Sequence, residues 1–309
     1  ILNQKKMKNI KKKILIVGGT GFIGYHLAKK CLKKNWKVTS ISSKPPKKIR
    51  YLRKVKYLIC DITNKKKLKK KIKNYFDYVV NLGGHVDHSN KKKTYNSHYI
   101  GCKNLTEILL KNPPKQFLQM GSSGEYGLSK SPHKEISSTK PKSIYGKSKL
   151  LSSLYLKKIF KKKKFPIVIL RLYQAYGPKQ DLNRFLPIII NGCLKNKKFP
   201  CSDGKQFRDF VYVDDVISAI NKSLQTKSAV GNIINIGSGK PKNIKKIIYK
   251  IKNKIKGGNP EFGKIKLRKD ESLKIYPNIK KAKTLLNWRP KIVFDKGLKE
   301  TIRYYYEQS

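Results

Sequence analysis

Acid is scarce in this chain: 17 Asp and Glu stand against 74 Lys and Arg, a formal net charge of +57. So basic a balance suggests a polyanion partner. The distribution argues against one. Lysines fill nearly every segment, among them Lys65–Lys67, Lys161–Lys164 and Lys245–Lys246, as solvated helix faces and loop ends do. The load of Ile, Asn and Tyr beside them fits a bias toward A/T-rich codons. No specific nucleic-acid partner is expected, although the field should still draw in anionic ligands. Long apolar runs are also lacking. Stretches such as Phe185–Ile190, broken by Pro187, are core-sized and far short of the roughly 18 residues that span a bilayer. With no signal-peptide pattern, the expectation is a cytoplasmic protein without membrane insertion. Cysteine is sparse and odd in number, at five, and no CxxC occurs. This suits neither a disulfide framework nor a zinc site, and reduced, buried thiols are expected. His85, His88 and His133 show no metal-ligand spacing, so no metal is assigned. The chain opens without methionine, Met7 reads as a natural start, and residues 1–12 read as a basic extension.

What is present is an alternation. Short apolar runs at 14–17, 38–41, 55–59, 78–82, 117–120 and 167–171 read as buried strands. Helical patterns lie between them at 22–32, 65–73, 94–111 and 143–162. Strand and helix in turn imply an α/β fold, a Rossmann-type doubly wound parallel sheet covered on both faces. After Gly177-Pro178 the pattern becomes irregular, with pieces at 185–194, 210–213, 232–236, 243–255 and 283–287. A smaller C-terminal lobe over 172–309 is expected, with Asp214–Leu224 packing back on a first unit over 13–171.

The segment Gly18-Gly19-Thr20-Gly21-Phe22-Ile23-Gly24 follows a strand and opens a helix. Gly18 permits a tight turn, Gly21 removes the Cβ that would block a pyrophosphate, and Gly24 lets the helix pack closely on the strand. The helix N-terminus then offers amide N–H groups and a positive dipole to the phosphates. Unit 13–171 is accordingly read as dinucleotide-binding.

The spacing GxxGxxG resembles that of the extended short-chain dehydrogenase/reductases, the NAD(P)-dependent epimerase/dehydratase family, and the resemblance runs from about Lys13 to Tyr304. Cys60-Asp61-Ile62 resembles the family's adenine-binding corner, and Asn81-Leu82-Gly83-Gly84 the turn beneath the cofactor ribose. Arg208-Asp209-Phe210-Val211-Tyr212-Val213-Asp214-Asp215-Val216, Asn235-Ile236-Gly237-Ser238-Gly239 and Trp288-Arg289-Pro290 match later signatures. The resemblance implies a cofactor site formed by Gly18, Gly21, Phe22, Ile23, Gly24, Asp61, Ile62, Leu82 and Gly83. It implies a nucleotide-diphosphate sugar as substrate, and a homodimer through the helices near 94–111 and 143–162.

Tyr145-Gly146-Lys147-Ser148-Lys149 supplies YxxxK, and residues four apart share a helix face. A free tyrosine ionises at about pH 10, too high for a base at neutral pH, and a neighbouring ammonium favours the phenolate. The resemblance implies that Tyr145 exchanges a proton with a sugar hydroxyl while hydride moves to or from nicotinamide. Lys149 then also binds the nicotinamide ribose. The family's hydroxyl partner lies four residues before the tyrosine of Tyr126-Gly127, which gives Ser122, with Ser123 as the alternative. Arg208 and Arg268 match positions that contact the diphosphate, and Gln174 stands where the family usually has asparagine.

Three departures matter. His98 replaces a usual asparagine. The segment after the second strand, Val38-Thr39-Ser40-Ile41-Ser42-Ser43-Lys44, lacks the acid that binds a ribose 2′-hydroxyl, so Ser42 and Lys44 favour NADP over NAD. Ser123-Gly124 lacks the Asp-Glu pair of the family's dehydratases, which disfavours dehydration. A 4-keto-sugar reductase is favoured slightly over a 4-epimerase with tightly bound NAD. A nucleic-acid-binding protein on the same fold is the alternative from another class.

Overall fold

The computed structural model describes residues 11–85, 89–267 and 271–309. Seven parallel strands form the central sheet. Six are β1 (Lys13–Val17), β2 (Lys37–Ser42), β3 (Val55–Ile59), β4 (Tyr78–Asn81), β5 (Gln116–Ser122) and β6 (Ile167–Leu172). The seventh, Ile233–Ile236, comes from far down the chain and lies beside β6, Ile233 opposite Ile169. The spatial order is seventh strand, β6, β5, β4, β1, β2, β3. The order reverses between β1 and β4, so a crevice opens at their carboxyl ends, where doubly wound sheets take their ligands. Both faces are covered. Along β1, Ile14 and Ile16 join the core on one face while Leu15 and Val17 join the core on the other. This is why the strand reads as an unbroken apolar run rather than an alternation.

Helix α1 (Phe22–Lys33) and α2 (Lys65–Lys71) follow their strands. Next, α3 (Lys91–Tyr95) continues through a π-helical stretch, Asn96–Ile100, into α4 (Gly101–Leu109). The long α5 (Ile144–Lys163) is capped by Ser143, whose hydroxyl accepts from the Gly146 N–H at 3.1 Å. It buries Gly146, Ser148, Ser152 and Ser153, a small-residue face that lets it lie close against the sheet.

Beyond 172 the chain builds a wall over the crevice. Gln174–Tyr176 pairs in parallel with Phe210–Tyr212. Further small ribbons join α6 (Phe185–Leu194), α7 (Val213–Gln225), α8 (Ile244–Ile255) and α9 (Lys280–Leu286). Helix α7 returns to the sheet, where Gln116 Nε2 donates to Ser223 O at 2.7 Å. Helix α10 (Phe294–Tyr306), which the expected elements do not include, buries Gly297, Leu298, Thr301 and Tyr305. No helix among the described residues is long and apolar enough to cross a membrane.

Candidate active site

A cavity of about 710 Å³ occupies the crevice, and Val17, Gly18, Gly21, Phe22, Ile23 and Gly24 form its floor. Gly18 sits at φ +79°, a left-handed conformation that side chains rarely adopt. A Cβ on Gly24 would lie 2.6 Å from Gly19 Cα and inside the Gly18 carbonyl oxygen, so helix and turn touch backbone to backbone. A Cβ on Gly21 would meet only Gly18 O, at 3.2 Å, and would otherwise fill open space. Gly19 is also required, since a Cβ there would come within 2.8 Å of Ser40 Cβ. No side chain caps α1 and no acid lies in its first turn. The amide groups thus face the cavity with their dipole uncompensated, and the turn fits a dinucleotide pyrophosphate.

One end of the cavity is lined by Ile41, Ser42, Ser43, Cys60, Asp61 and Ile62. Ser42 Oγ accepts from Thr20 N at 3.4 Å, which ties β2 to the glycine turn. Asn104 Nδ2 donates to both Ile62 O and Thr63 O, which fixes the corner after β3. Lys44 is exposed and does not line the cavity. Leu82 and Gly83 line the opposite side. Their turn is held by Asn81, whose Oδ1 accepts from Gly83 N at 3.1 Å and whose Nδ2 donates to Gln119 at 2.8 Å.

The inner end runs past Met120 toward α5. Lys149 is buried, and its Nζ donates to Met120 O at 2.8 Å, 5.9 Å from the Tyr145 ring centre. Gly124 brings the other two residues together. A Cβ built there would stand 3.4 Å from Ser122 Oγ and 3.5 Å from Tyr145 Cδ1 and Cε1. Ser122 Oγ also accepts from Gly124 N at 3.1 Å, so it caps the turn Ser123–Glu125 while its own hydroxyl proton remains available to a ligand. Ser123 is half-buried and opens that turn. His98 is buried with its ring edge-on to Tyr145 at 5.1 Å, and its Nε2 donates to His85 O at 3.1 Å. It packs the tyrosine against the Gly84 turn, where a Cβ would overlap the imidazole.

Two groups that the sequence signals miss complete the site. Glu125, fully buried, accepts from Ser122 N at 2.9 Å, Ser153 Oγ at 2.8 Å and Arg171 Nε at 2.8 Å. It thereby joins the Ser122 turn, α5 and β6 at one carboxylate. Burial would lower the Arg171 pKa, but the Glu125 charge and hydrogen bond more than offset it and hold it raised. Gln180, Asp181 and Arg184 line the outer wall beside Gln174. Arg208 does not line the cavity. Its guanidinium donates to Glu271 at 2.5 Å and to the carbonyls of Phe207 and Leu273, because the two short strands there leave those oxygens facing it. Arg268 lies outside the described residues. All five cysteines are free and buried. Burial pushes the Cys31 and Cys102 thiols up to about 12, so they are not nucleophiles.

The model of the NAD dependent epimerase/dehydratase family matches residues 14–237. A putative UDP-glucose 4-epimerase of Methanocaldococcus jannaschii is 31% identical over 94% of this chain and 97% of its own. The crystal structure of UDP-glucose 4-epimerase with UDP-glucose from Thermotoga maritima superposes with a TM-score of 0.90, at 25% identity over 96% of this chain and 99% of that one. A Bacillus cereus UDP-glucuronic acid 4-epimerase mutant, in complex with a fluorinated UDP-sugar and NAD, gives 0.88 at 27% identity over 96% and 100%.

Proposed function

Because this chain belongs to the NAD-dependent epimerase/dehydratase family, we propose that it is a nucleotide-sugar 4-epimerase that retains its NAD between turnovers. The observation that carries this reading is the convergence of Ser122 Oγ and the Tyr145 ring over Gly124, with Lys149 anchored alongside. Tyr145 takes the proton of the sugar 4-hydroxyl and gives it back from the same position. Ser122 donates to the reacting oxygen and orients it. Lys149, fixed by Met120 O, holds the nicotinamide ribose. When bound, the dinucleotide accepts hydride from C4 and returns it. The nucleotide-sugar diphosphate enters from the side of Gln174 and Arg184, over the lobe formed from 172 onward, whose fork-shaped arginine suits phosphate oxygens.

A 4-keto-sugar reductase has less to support it. A relative that matches nearly end to end at 31% identity is named a putative UDP-glucose 4-epimerase, and solved structures of relatives hold NAD. Dehydration is disfavoured because Ser123-Gly124 offers no acid beside Ser122. A homodimer through α3, α4 and α5 is part of the same reading, since Leu151 and Leu154 are exposed on α5 beside the Tyr99–Tyr155 pair. The buried free thiols suit a reducing cytoplasm. The test is to denature the purified protein and quantify the released nicotinamide. About one NAD per chain is expected, and a protein that arrives empty and binds only NADPH would defeat the proposal in favour of a reductase.

A further inference from the structure

The adenosine end of the cavity lacks an acid at the end of β2, where Ser42 and Ser43 stand instead. An acid reaches the connection that follows β2 from elsewhere. Asp181 lines the same cavity, on the segment that follows Gln174–Tyr176. Its carboxylate is gripped by two cations of the β2–β3 connection, Lys47 at 3.2 Å and the Arg50 guanidinium. Arg50 is almost fully buried, and among the described residues Asp181 is the only carboxylate within ion-pair reach of it. The same two segments are laced a second time, because Lys179 Nζ donates to Ile49 O. Tyr305 Oη and His26 Nε2 donate to Gln180 O at 2.6 Å and Pro178 O at 3.0 Å, so the strap at 178–181 is held at both sides. Asp181 therefore has a built position and does not swing free.

We propose that Asp181 determines cofactor choice, standing in from the second lobe for the acid that β2 lacks and selecting NAD against NADP. Two effects act in the same direction. The carboxylate repels a 2′-phosphate brought to the Ser42–Ser43 end, whereas the uncharged 2′-hydroxyl of NAD meets no such penalty. It also occupies Lys47 and Arg50, the cations that a 2′-phosphate would otherwise recruit. Partial burial alone would raise the Asp181 carboxyl, but the hydrogen bonds and charges of Arg50 and Lys47 outweigh it and keep it below its ordinary value. It is thus ionised throughout the physiological range. The signal is invisible at the usual place in sequence because the acid lies more than a hundred residues beyond the strand it serves.

This inference rests on the dinucleotide reading of the cavity, and its test reads binding rather than turnover. Strip the protein of bound nicotinamide and titrate NADH and NADPH by fluorescence for the wild type, Asp181→Asn, Asp181→Glu and Lys47→Ala. The wild type is expected to prefer NADH. Asp181→Asn releases both cations and should raise the NADPH-to-NADH affinity ratio about tenfold or more, while NADH affinity changes little. Asp181→Glu should keep the wild-type ratio. Lys47→Ala changes an exposed residue with no risk to folding and should lower the ratio a few-fold. A ratio unmoved by both Asp181→Asn and Lys47→Ala, with both cofactors still bound, would overturn the role of Asp181 alone, as would a wild type that prefers NADPH. A wild type that binds neither cofactor would overturn the dinucleotide reading itself.

Discussion

Replacing Glu125 by alanine removes one acceptor from three donors at once: the Ser122 amide, the Ser153 hydroxyl and Arg171 Nε. The carboxylate is 0% exposed and its arginine partner 3%. Water therefore cannot replace it, and Arg171 is left as an unpaired buried cation over the Tyr126 ring. Breaking such a pair costs about 3–5 kcal/mol, and the stranded Ser122 and Ser153 donors add to this unless the site relaxes. For a chain of this size each kcal/mol moves the melting temperature by roughly 1.5 °C, so a fall of about 5–8 °C is expected. Urea denaturation followed by far-UV circular dichroism reads the same loss as a lower midpoint with an unchanged slope. The double variant Glu125→Leu, Arg171→Met, which removes both charges, should recover much of the loss. If Glu125→Ala lost less than about 1 kcal/mol, the carboxylate would not be the joint between the Ser122 turn, α5 and β6, and this account of how the site is held would be wrong.

Tyr145→Phe keeps the ring against His98 but removes the proton carrier; kcat should drop by about 10² or more with little change in melting temperature, and retention of most of the wild-type kcat would refute the assignment. Gly21→Ala and Gly24→Ala should separate two roles of one turn. The former should fold normally yet bind nicotinamide dinucleotide at least tenfold more weakly, whereas the latter should lower stability because its methyl meets backbone; equal stability in the two would contradict the contacts. Burial lowers the pKa of His26 and His133 in the folded chain, so both are held neutral while the unfolded chain protonates near the ordinary value. Stability should then be fully present above about pH 6.5 and fall as the pH drops below it, by up to about 1.4 kcal/mol per pH unit for each histidine. Melting curves at pH 7.5 and 6.0 check the sign, and His133→Gln should shrink the difference.

The legible parts of this protein were the local ones. The apolar runs, the glycine turn and the helical pattern at 143–162 are each local signals, and the sheet, α1 and α5 follow from them almost to the residue. The YxxxK spacing likewise put Tyr145 and Lys149 on one helix face before any contact was known. What stayed hidden depended on pairings across the chain. Arg171 lies 46 residues from Glu125, and Asp181 lies 131 from Arg50; neither pair leaves a periodic trace. Arg208 likewise sits at a motif position that suggests a phosphate role, while its contacts to Glu271 and to the carbonyls of Phe207 and Leu273 leave no trace in the motif. Helix α10 was readable in principle from its buried positions 297, 298, 301 and 305, but its apolar stripe is interrupted by glycine and threonine.

The central claim is that Tyr145 and its partners move a hydrogen off C4 of a nucleotide sugar and restore it on the other face without consuming a cofactor. The direct measurement is to incubate the purified protein with UDP-hexoses, UDP-glucose and UDP-glucuronic acid first, with no nicotinamide added, and to follow the anomeric proton signals by NMR with substrate deuterated at C4. The account predicts an equilibrium mixture of the two C4 epimers with the deuterium retained at C4. A 4-keto sugar reduced only when NADPH is supplied, or epimers that lose the label to solvent, would contradict it.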